Sequence, residues 1–114
     1  MAMRINRLAD AQPFAPQGHS GVGPVHLQGG EASPTEGLTV VLSHYLPGAQ
    51  AEMAAQPCET IYVVIAGELA VISEGTDETL HVYDSAHFTA GTLRQVINRT
   101  SLPASMLVIR PKSR

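Results

Sequence analysis

Apolar residues in this chain come in short bursts separated by turn-forming residues. The clearest burst is 60–66, TIYVVIA, β-branched and aromatic and stopped by Gly67. Residues 38–46, LTVVLSHYL, are bounded by Gly37 and Pro47 and are too short for a typical helix. Residues 104–110, ASMLVIR, read the same way. Between them the pattern predicts short strands at 68–73, 79–83, 86–89 and 95–98, a hairpin loop at 74–77 and a turn at 90–92. A short strand is also expected at 25–28, followed by a turn-rich link over 29–37. Residues 1–10 fit either a short strand or one helical turn. Residues 11–24 hold three Pro and three Gly, which excludes a helix and predicts an irregular arm over the surface. No segment carries a sustained helical period. Roughly eight or nine short strands therefore predict an all-β sandwich or barrel. With 114 residues the chain makes one domain. Residues 1–37 are its arm and 38–114 its barrel.

The central strand is apolar on both faces: Tyr62 and Val64 on one, Ile61, Val63 and Ile65 on the other. Residues 106–109 behave alike. A strand facing water on one side alternates instead. One face is thus expected to look into the barrel, and the other to meet the arm or a second subunit. A homodimer is the expected assembly.

Composition removes several classes. The seven basic residues are scattered and the formal net charge is −3, which argues against nucleic acid as a partner. The longest apolar run, 61–66, is far short of the ~20 residues that span a bilayer, so no membrane partner is expected. The N-terminal stretch has no apolar run of signal-peptide length, and a soluble cytoplasmic protein is the expectation. Cys58 is the only cysteine, so an internal disulfide and a cysteine-based zinc site are both excluded.

Residues 47–69, PGAQAEMAAQPCETIYVVIAGEL, resemble the first motif of the cupin superfamily, G-x5-H-x-H-x3/4-E-x6-G. Residues 83–98, YDSAHFTAGTLRQVIN, resemble the second, G-x5-P-x-G-x2-H-x3-N, retaining Asp84, Gly91 and Asn98. The resemblance covers roughly 38–110. It implies a cupin-type double-stranded β-helix, the jelly-roll barrel of small RmlC-like proteins. It also implies that residues 51–56 are extended, although AEMAAQ alone would suit a helical turn. Every position where the family carries a metal ligand is changed. The two histidines fall at Ala54 and Gln56, the glutamate at Thr60 and the last histidine at Arg94. Divalent transition metals take imidazole or carboxylate donors, so the usual centre is expected to be absent and no cofactor is expected.

Strand parity applied to these positions predicts a pocket of Glu52, Ala54, Gln56, Thr60, Tyr62, Val64, Arg94, Val96 and Asn98. That is an apolar cavity with a few polar groups, the character of a small-molecule site. Arg94 has three readings. It binds a carboxylate or phosphate ligand, or it closes an internal ion pair with Glu52 or Glu59, which is the commoner fate, or it swings out at the barrel rim. A relocated metal site could draw on His44 with Glu52 or Glu59. None of the five histidines forms an H-x-H or H-x3-H pair. His19, in the arm, could belong to a lid or to a dimer clasp. Three functions follow: a metal-free barrel binding a small, anionic metabolite; a small enzyme of isomerase, lyase or oxygenase type, using a relocated metal or acid–base residues such as Glu52, Tyr62 or His44; and a non-catalytic structural or regulatory protein.

Overall fold

The computed structural model describes residues 3–112. Among them lie nine strands and one 3-10 turn, Leu8–Asp10. The strands are β1 (Gln12–Pro13), β2 (His19–Gln28), β3 (Leu38–Ala55), β4 (Thr60–Ala66), β5 (Leu69–Ser73), β6 (Thr76–Leu80), β7 (Ser85–Phe88), β8 (Leu93–Ile97) and β9 (Ala104–Pro111). All pairings are antiparallel, in the order β6-β5-β8-β3-β9-β4-β7, with β2 also on β3. The result is a nearly closed antiparallel jelly-roll barrel. No helix among the described residues is long and apolar enough to cross a membrane.

β3 is the shared member. Its first half pairs with β9 and its second half with β8, while β2 follows both halves. Residues 51–56 are extended up to Ala55, against their helix-tolerant composition, because this second half has β8 and β2 to pair with. The core lies between the inner faces, where Tyr45, Tyr62, Val64, Leu69, Val96 and Met106 are all nearly inaccessible.

Three local expectations differ from the structure. Residues 19–24 are not irregular but form the start of β2. Gly and Pro exclude a helix, yet an extended segment tolerates them. Gly21, at φ +66, sits where the β2–β3 register shifts, and the carbonyl of Pro24 accepts the Phe14 N–H at 3.1 Å. The expected loop 74–77 is a tight two-residue turn, Glu74 and Gly75, both at positive φ. The expected strand 79–83 ends at Leu80; His81 to Asp84 form a turn closed by the His81 N–H on Asp84 Oδ2 at 2.8 Å.

The outer face of β4 carries Ile61, 38% exposed, and Ile65, 36% exposed. Leu107 and Ile109 of β9 lie beside Val63 and Ile61 on the same face, half-buried. Arm residues Phe14, Pro16, Gln17 and His19 border the barrel cavity rather than this face.

Gly67 joins β4 to β5 at φ +68, with space for no side chain. A Cβ there would lie 2.6 Å from the Pro103 carbonyl oxygen and 3.0 Å from Ala104 Cα. Gly67→Ala is expected to lower stability by about 1–3 kcal/mol. Urea denaturation checks this, and an unchanged midpoint would refute the close approach.

Candidate functional site

A cavity of about 370 Å³ opens at one end of the barrel. Its inner wall follows from strand alternation. On β3 the odd positions Thr39, Val41, Ser43 and Tyr45 face it; on β9 the even positions Met106, Val108 and Arg110 do. The other wall is supplied by residues before β3, including Phe14, Gln17, His19 and His26. Phe14 stacks on His26 with ring centroids 4.2 Å apart. His26 Nδ1 is buried without a hydrogen-bond partner among the described residues.

Of the residues predicted for the pocket, Ala54, Gln56, Tyr62 and Arg94 line this cavity. Thr60 is fully buried directly behind it, bonded to Arg110. Val64 and Val96 are packed in the core. Asn98 is structural in its contacts: its amide donates to the Tyr45 and Leu102 carbonyls and its oxygen accepts the Thr100 N–H. Glu52 departs from the predicted parity. The β3–β8 register shifts between Ala51 and Ala54, so Ala51 is buried and Glu52 is exposed. The Glu52 side chain instead borders a second concavity of about 310 Å³ at the mouth, with Gly18 and Met53.

Arg94 is only 5% exposed, and the internal ion pair open to it is not formed. It donates from Nε to Tyr62 Oη at 2.7 Å and from Nη1 to the Glu52 backbone carbonyl at 2.8 Å. Glu59 meets His87 on the exterior at 2.7 Å. Tyr62 Oη in turn donates to Gln56 Oε1 at 3.3 Å. Gln56 Oε1 also accepts from Arg110 Nη2 at 2.8 Å, and Arg110 Nε donates to Thr60 Oγ1 at 3.1 Å. Two guanidinium groups thus share one network of neutral acceptors. Neither has a carboxylate partner among the described residues. Gln56 is itself held by its backbone, which bonds to Thr92 and Gly91.

Arg110 and Tyr45 are cavity-lining residues that the pocket predicted from the sequence omits. Continuing the row Met106, Val108 would have placed Arg110 inward beside Thr60.

The residues considered for a relocated metal are not brought together. His44 lies on the outer face of β3 and meets Ser105 Oγ at 2.8 Å, Glu59 is on the exterior, and Glu52 is at the mouth. No group of three or more His, Cys, Asp or Glu side chains that could hold a metal occurs among the described residues. The positions that the motif resemblance assigns to metal ligands, Ala54, Gln56, Thr60 and Arg94, supply no imidazole or carboxylate, so they do not fit a divalent transition metal.

A small antiparallel jelly roll with its site at the barrel mouth defines the cupin class. Residues 41–110 match the family model described as a cupin domain, and the chain belongs to this family. It is similar to a protein named a β-D-galactosidase from Mycobacterium tuberculosis, 42% identical over 106 residues, covering 93% of this chain and 91% of that one. Among solved structures it resembles the polyketide cyclase RemF from Streptomyces resistomycificus, with TM-score 0.84, 14% identity and 100% and 82% of the two chains covered. It also resembles a sugar phosphate isomerase of the cupin superfamily from Silicibacter pomeroyi, with TM-score 0.80, 21% identity and 97% and 76% covered. At such identities the structural likeness shows the fold alone.

Tyr45 also faces the cavity. Burial pushes its phenol well above the ordinary value near 10, Tyr62 adds to the rise, and Arg94 and Arg110 oppose it. Its contribution to stability is therefore fully present below about pH 10, where the unfolded phenol is still protonated. It is lost as pH rises beyond that, toward the folded value. Urea denaturation between about pH 9 and about pH 11 should show stability falling more steeply in wild type than in Tyr45→Phe. Parallel slopes would refute this.

Proposed function

We propose that the barrel binds a small carboxylate or phosphate ligand without a metal. The observation that carries this is Arg94, a buried guanidinium with no carboxylate partner among the described residues. Burying an unpaired cation costs several kcal/mol. Neutral hydrogen bonds offset only part of that cost, so an anion entering the cavity gains strongly. Arg110 adds a second positive charge on the same network. Two of the five N–H donors on each group hold it in place, leaving others for bidentate contact with a ligand. The cavity volume lies at the small end of ligand sites.

A thermal-shift screen against small carboxylates and inorganic phosphate tests this. Wild type should be stabilised, while Arg94→Ala and Arg110→Ala should respond far less. Equal responses from wild type and both variants would remove the anion site.

The relative named a β-D-galactosidase supports a second reading, hydrolysis of a β-galactoside. Such hydrolysis ordinarily employs two carboxylates. Among the described residues Glu52 is the one carboxylate bordering either concavity, so Tyr62 would have to take the other role. Release of nitrophenol from nitrophenyl β-D-galactoside, lost in Glu52→Gln and Tyr62→Phe, would establish this reading. No release from wild type at millimolar substrate would leave the binding reading alone.

We also propose a homodimer formed through the outer face of β4 and β9, which supports burial of Ile61 and Ile65. Light scattering at micromolar concentration should give twice the chain mass; a monomer mass would reject it. The single free thiol of Cys58 suits a reducing compartment and supports a cytoplasmic location.

A further inference from the structure

The two concavities are not independent. Gln17, His19, Ala54 and Arg94 border both. Arg94 therefore stands at their junction, pinned through Nε and Nη1. On the inner side lies the second cation, Arg110. On the outer side lies a carboxylate, Glu52, turned there by the β3 register shift.

We propose that the two concavities are consecutive subsites for one extended ligand, an anionic unit inside and a neutral polyhydroxy unit at the mouth. The proposal rests on the anion-binding reading above and adds to it the second unit and its chemistry. Each concavity, about 370 and 310 Å³, is the size of a small-molecule site, and the shared residues make them neighbours. The charges select the outer unit. Glu52 is acceptor-only and repels a second anion. Arg94 at the junction repels a cation. Hydroxyl groups satisfy both, donating to Glu52 and accepting from Arg94.

The outer walls suit such a unit. Met53, 46% exposed, offers an apolar surface to the C–H face of a ring. Gly18, at φ +71, presents no side chain; a Cβ there would lie 3.4 Å from Glu52 Oε2 and narrow the cleft.

Isothermal titration of the full chain with gluconate, lactobionate and lactose tests this. Gluconate is the acidic unit alone, lactobionate adds a β-galactosyl unit, and lactose lacks the acid. Lactobionate should bind about tenfold more tightly than gluconate, the order expected for one added hydrogen bond to a charged group. Lactose should bind far more weakly than lactobionate. Glu52→Ala should bring the lactobionate-to-gluconate ratio close to one, and Arg94→Gln should weaken both acids. Arg110→Gln serves as the second cation variant if Arg94→Gln does not fold. If gluconate binds and lactobionate gains nothing, the subsite proposal falls and the anion site stands. It falls equally if Glu52→Ala weakens both acids alike. If neither gluconate nor inorganic phosphate binds, the anion reading itself falls and takes this proposal with it.

Discussion

A guanidinium buried beside a cavity constrains everything around it. Arg94 cannot be deprotonated, and removing it from water is costly unless its N–H groups meet acceptors. The structure supplies a phenol oxygen and a backbone carbonyl, and withholds a carboxylate. Tyr62 must then present its oxygen inward, and its ring is set against Phe88 with centroids 5.0 Å apart. Gln56 must accept a hydrogen bond from the Tyr62 hydroxyl, and the same oxygen steadies Arg110. One unpaired charge therefore dictates the orientation of a wall spread over β3, β4, β8 and β9.

That wall joins the two cupin motifs mechanically as well as electrostatically. Gln56 stands at a first-motif position, and its backbone bonds Gly91 and Thr92 of the second. This chain brings the two motifs together through a side-chain network and a backbone tie. Asn98 completes the far end by fixing the turn at Thr100 and Leu102.

Much of this was legible in the chain, because regular alternation is a local property. Parity on β4 and β8 placed Thr60, Tyr62, Val64, Arg94, Val96 and Asn98 on one buried side, as the structure has them. It failed at Glu52 because a bulge inserts an extra residue, and nothing in AEMAAQ marks where pairing with β8 slips. The early start of β2 was hidden for a different reason. Gly and Pro speak against helices, but whether such a segment is paired depends on a neighbour distant in sequence, here β3. Arg110 was visible in principle, since the alternation of β9 extends to it without interruption.

The bulge in β3 separates two jobs that one residue would otherwise share. Arg94 is anchored by the main chain at position 52, and any amino acid brings that carbonyl. The side chain at 52 is left to shape the rim. A change of side chain at this position can therefore reshape the mouth of the barrel while the buried charge keeps its footing on the main chain.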